Sequence, residues 1–139
     1  MKNKIYLQTT QIGTNKTVSQ IQKLLGENGA SAVLINYEKS EPVTISFKLA
    51  IEKQEIPFKL PCRWLALFSL INNHDEQKAK RIAWRQIFYW LKSQFALIQT
   101  GMVEPTEVFL PYMQTKKGKT FFEHLKDDKK LLEFKEQSE

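Results

Sequence analysis

An α+β fold is expected: a three- to four-stranded antiparallel sheet with helices packed on one face around one long central helix. Two patterns predict it. Residues 33–61 alternate apolar and polar side chains in three runs separated by turns, as strands do when one face is buried and the other wet. Residues 77–100 then run 24 residues without proline or glycine, and Gly101 stands where a left-handed C-cap belongs.

The first element in order is residues 4–12, whose tyrosine, leucine and threonine content predicts a short edge strand. Thr17-Val18-Ser19-Gln20 then reads as a capping box, with Val18, Ile21, Leu24 and Leu25 at helical spacing behind it. Val33, Ile35 and Tyr37 form the inward set of the next strand. Val43, Ile45, Phe47, Leu49 and Ile51 form that of the second, and Ile56, Phe58 and Leu60 that of the third. Pro57 places this third strand at an edge or beside a bulge. The wet face should show Asn36, Thr44, Ser46, Lys48 and Lys59. A short apolar helix is expected over residues 64–71, before Asp75 caps the long one.

On a helical wheel Ala79, Ile82, Ala83, Ile87, Trp90, Leu91, Leu97 and Ile98 share one broad arc, widened by Trp84, Phe88 and Phe95. Trp90 and Leu97 lie mid-arc and should be almost fully buried. The remaining strip carries Lys78, Arg81, Arg85 and Lys92 within about 60° of one another. Beyond Gly101, Pro105 suits the first turn of another helix, Thr115-Lys116-Lys117-Gly118-Lys119 makes a basic turn, and residues 120–125 make a last short helix. One domain, residues 1–126, is expected, followed by a charged tail over 127–139 that should fray.

Apolar content of 42% and aromatic content of 12% fit a packed chain of 139 residues that needs neither metal nor disulfide. No apolar run approaches the roughly 20 residues that span a bilayer, and the polar opening residues do not make a signal peptide. With one cysteine, Cys62, the chain suits a reducing compartment, the cytoplasm. Net charge is +6 and uneven: the tail from Asp127, with five acids and three lysines, carries −2, and the preceding body carries +8. A basic body of this kind suggests a polyanionic partner.

Signals for catalysis are weak. Gly118-Lys119-Thr120 resembles the end of a phosphate-binding loop, but Met113 stands where the required first glycine belongs. His74-Asp75-Glu76 and Glu123-His124 lack a nucleophile to complete them, and Cys62 with His74 and His124 is poor material for a metal. No enzyme activity, cofactor or metal site is expected. The basic strip carries the stronger signal. Lys78, Arg81, Arg85 and Lys92 can hold phosphates while Phe88 at their edge stacks on a base, which suits a single strand of DNA or RNA. Lys116, Lys117 and Lys119, ahead of a helix start, offer a second phosphate site.

Arg81-Ile82-Ala83-Trp84-Arg85, Trp90-Leu91, Gln94, Ala96-Leu97-Ile98 and Gly101-Met102-Val103 carry a resemblance, continued by Phe109-Leu110-Pro111-Tyr112-Met113 and Gly118-Lys119-Thr120-Phe121-Phe122-Glu123. Across roughly residues 17–126 the chain resembles a family of small bacteriophage and prophage proteins. The resemblance implies a phage setting in the host cytoplasm and no particular activity. Two functions are carried forward. The first is a non-enzymatic accessory of phage DNA metabolism that binds nucleic acid through the helix strip. The alternative is a protein-binding module that engages a host factor, such as a component of a defence system, with Phe88 and Tyr89 as its surface.

Overall fold

The computed structural model describes residues 4–71 and 74–128. Three strands, β1 (Ala32–Glu38), β2 (Glu41–Ile51) and β3 (Gln54–Pro61), form an antiparallel sheet in the order β1-β2-β3. The register follows the apolar alternation. Ile45 of β2 stands between Ile35 and Leu60, and Phe47 stands between Val33 and Phe58, so one face is continuously apolar. A shift in register between Asn36 and Tyr37 breaks the alternation, and Tyr37, expected inward, is exposed. On the opposite face Thr44 donates to Asn36 at 2.8 Å, and Lys48 is open to solvent. Ser46 is buried there, flanked across the strands by Leu34 and Lys59.

Both hairpins turn through two residues at positive φ: Lys39 (51°) with Ser40 (66°), and Glu52 (51°) with Lys53 (68°). Such turns match the twist of the strands, and asparagine-glycine is their preferred sequence. Here larger side chains accept the left-handed conformation.

Helices α1 (Thr14–Glu27) and α3 (Glu76–Gln99) cover the apolar face. Between them in sequence lies α2 (Leu65–Phe68), and α4 (Pro105–Phe109), a 3-10 turn over Leu110–Tyr112, and α5 (Phe121–Asp127) follow. The expected tail, beyond Asp128, lies outside the described residues, and Asp127 itself closes α5. As expected, Asp75 caps α3, accepting from the Lys78 amide at 3.0 Å, and Gly101 follows the helix at φ 80°.

The core centres on Phe109. Its ring lies 5.4 Å from Phe47, 5.5 Å from Phe95, 5.6 Å from Phe58 and 5.9 Å from Trp90, centroid to centroid. Trp84 is the largest fully buried side chain, although its indole N–H finds no hydrogen-bond partner among the described residues. Cys62 is buried at the end of β3, where desolvation pushes its thiol up to about 12, far from a reactive thiolate.

Three expectations need correction. Residues 4–12 do not add a strand. Leu7 turns back at φ 64°, Gln8 and Thr10 donate to Ile5 and Leu7, and the Tyr6 carbonyl accepts from Gln86 of α3 at 2.9 Å. The segment is therefore pinned to the helix rather than to the sheet. Helix α1 starts a turn earlier than the Thr17 capping box predicts, with Gly13 as its N-cap. Trp90 and Leu97 are half-buried, because the buried centre of α3 is Trp84, Leu91 and Phe95. That centre is rotated by roughly 130° from the expected mid-arc. Trp90 instead meets Phe109 and Tyr112 edge-on at the border of the core.

Candidate nucleic-acid interface

The rotation of α3 decides what its cations can do, because α1 docks along their strip. Residues Gly13 to Lys16 share a pocket with Gln77, Lys80 and Arg81. One turn on, Thr17 and Gln20 meet Arg85. At the far end Gln99 donates to Asn28 at 2.8 Å. The two helices therefore run parallel, and half of the strip is a seam between them.

Arg85 lies in that seam, 6% exposed. Its guanidinium donates to Thr17 Oγ1 at 3.4 Å and to Gln20 Oε1, and it sits 4.8 Å from the Phe88 ring and 5.2 Å from Tyr89. The two residues read as a capping box are thus the acceptors for a buried arginine. Arg85 is not available to a phosphate, contrary to expectation. Phe88 is half-buried, with Lys92 also over its ring at 6.0 Å and Tyr89 edge-on at 5.4 Å, so it is no free stacking platform. Lys92 is exposed, Lys78 and Arg81 partly so.

At the head of the seam the pocket encloses about 370 Å³. No side chain caps α1, and its first turn carries no acid. The hydroxyl of Thr14 and the Nε of Arg81 are buried here without a hydrogen-bond partner among the described residues. Lys16 stands exposed at the rim. Lys80, also in the pocket, is neutralised by Glu41 and by Glu76 at 3.0 Å, and lies 4.6 Å from the Trp64 ring. Burial works against its charge, but the hydrogen bonds it donates to the two carboxylates outweigh that and hold its pKa above the ordinary 10.5. The same bond, with a second from Gln77 at 2.7 Å, holds the Glu41 carboxyl below its ordinary 4.5. Among the described residues Arg81 and Lys16 make no ion pair, and they stand beside amides that a helix start leaves unpaired. Lys16 and Thr14 went unnoticed in the sequence because the helix was expected to begin after them.

The basic turn lies apart from this pocket. Its flanks are tied to β3, where Met113 bridges Phe58 and the Gln114 amide donates to Pro57 at 2.9 Å. Lys116 and Lys117 are exposed, but Lys119 pairs with Asp127, which raises its pKa. The start of α5 is closed by reciprocal bonds between Thr120 and Glu123, at 2.9 and 3.1 Å. Those bonds hold the Glu123 carboxyl below its usual range, so an acid sits where an anion was expected. Among the described residues no helix is long and apolar enough to cross a membrane, and no cluster of His, Cys, Asp or Glu could hold a metal ion. Compared with known protein families, curated proteins and solved structures, the chain matches none.

Proposed function

We propose that this chain is a non-enzymatic accessory protein of a bacteriophage or prophage that binds single-stranded nucleic acid through its phosphates. The contact residues are Arg81, Lys78 and Lys92 on α3 and Lys16 on α1, with Lys116 and Lys117 as an outlying pair. One observation supports the reading above the rest: the Nε of Arg81 is buried, has no hydrogen-bond partner among the described residues, and shares a pocket with the uncapped start of α1. A buried donor without an acceptor is costly, and a phosphate oxygen would complete it. The Lys16 and Lys78 chains flank the same end and supply charge without geometric demand.

Fluorescence anisotropy with a labelled single-stranded oligonucleotide across a salt series tests this. Arg81→Gln and Lys16→Gln should each weaken binding and lower the slope of log affinity against log salt by about 0.7. Lys119→Gln should leave the slope unchanged, since Asp127 already answers that charge. Wild-type protein with no affinity at about 50 mM salt, where counterion release favours binding, would rule the reading out.

A further inference from the structure

Among the described residues the sheet has one finished margin and one open one. Beside β3 the segment at Met113 and Gln114 bridges Phe58 and bonds Pro57, and two prolines in that strand donate nothing. At the other margin, among the described residues, β1 pairs with β2 alone. An unpaired strand edge is normally blunted by lysine, proline or charge. Residues 32–37 of β1, Ala-Val-Leu-Ile-Asn-Tyr, contain none of these, in a chain where 26% of residues are charged, and the strand's one acid, Glu38, stands beyond the register shift. Instead Leu34 is 60% exposed and Tyr37 58%, and Val33 and Ile35 are half-buried on the core side.

We propose that two copies of the chain join through β1, antiparallel and edge to edge, making one six-stranded sheet. The sequence of the strand is self-complementary in that arrangement. With the two-fold axis at Leu34, Ala32 faces the partner's Asn36, Val33 faces the partner's Ile35, and Leu34 faces its own equivalent. The apolar row on the core side, already continuous from Leu60 through Ile45 to Ile35, extends across the axis. The absence of charge selects the occupant. A charged peptide laid here would find no counter-charge on the pairing stretch 32–36 itself, whereas a second copy brings none to bury. The shift at Asn36/Tyr37 bends the strand and limits the pairing to the stretch before it. Because the β3 margin is occupied, the contact closes after two copies and does not grow into a fibre. This inference is independent of nucleic-acid binding.

Light scattering coupled to size exclusion should return twice the chain mass of 16.3 kDa. Leu34→Lys sets two like charges face to face at the axis, and the mass should fall to half. That side chain already faces solvent, so the fold is retained, as circular dichroism would check. Leu34→Cys should form a disulfide-linked dimer under mild oxidation. Facing residues in antiparallel strands have Cα atoms about 4.5–5.5 Å apart, within the roughly 4.4–6.8 Å that a disulfide spans. Wild-type chain that stays monomeric up to its solubility limit overturns the proposal. So does a dimer that survives Leu34→Lys and fails to cross-link through Leu34→Cys.

Discussion

Arg85 donates to the side chain of Gln20, and that contact locks α1 against α3 across a sequence separation of 65 residues. The cation at the middle of the basic strip is therefore a structural element of the helix pair. Two aromatic rings cover its other faces. Burying a guanidinium is tolerable when it keeps hydrogen bonds and its plane is packed, and here Nη1 bonds Thr17 and Gln20 while two rings pack beside it.

Arg85→Ala should accordingly destabilise the fold while leaving nucleic-acid contacts alone. Hydrogen bonds to charged groups contribute about 1.5–3 kcal/mol, and Thr17 and Gln20 would be left without their donor. A urea titration should show a lower midpoint, and the salt slope of oligonucleotide binding should be unchanged. Arg81→Gln should give the reverse pattern.

Phe109→Ala should be the most damaging single truncation in the core. The ring is fully buried and touches four other aromatic rings, two from the sheet and two from α3. Large aromatic truncations of this kind cost about 3–5 kcal/mol. Trp90→Ala, at the half-buried border, should cost less when both are compared by thermal or urea unfolding.

The two hairpin turns hold side chains at positive φ that glycine and asparagine would accept more readily. Replacing Glu52-Lys53 with Asn-Gly should raise stability by about 1 kcal/mol, since a non-glycine residue pays roughly 1–2 kcal/mol in that region. A fall in stability would mean that those side chains make contacts of their own.

The Glu41–Lys80 pair sets a pH window. Glu41 is held below its ordinary 4.5, so its contribution is complete above that value and fades as acid carries the pH down through the folded-state pKa. Lys80 is held above 10.5, so its contribution is complete below that value and fades as the pH rises through the folded-state pKa. Stability from this pair should be flat between the two limits. Glu41→Gln should remove the acid-side loss that belongs to it, as chemical denaturation over a pH series would show.

Much of the sheet was legible because period-two alternation is a local signal. Ile45, Phe47, Phe58 and Leu60 point inward as their spacing requires, and Asp75 and Gly101 bound α3 where their chemistry predicts. The first nine described residues were not legible. Strand propensity at Tyr6 and Leu7 is weak beside a tertiary bond from Gln86. The buried face of α3 differs from the wheel's for a related reason. So many of its residues are apolar that the buried side depends on where α1 docks, and α1 chose the side with the arginine. The pocket at Arg81 was invisible in the sequence because it joins residues 13–16 to 77–81, which only packing brings together.

The parallel run of α1 and α3 has an electrostatic consequence. Each helix carries roughly half a positive elementary charge at its N-terminus, and parallel packing brings both to the same end of the molecule. At α3 that charge is answered by Asp75 and Glu76. At α1 it is answered by nothing in the first turn, since Gly13 has no side chain and Thr14, Asn15 and Lys16 carry no acid. A fixed positive potential thus belongs to the backbone itself beside Arg81. Removing Lys16 and Arg81 together should leave a weak, short-ranged preference for anions at this end, one that salt screens but mutation of side chains does not abolish.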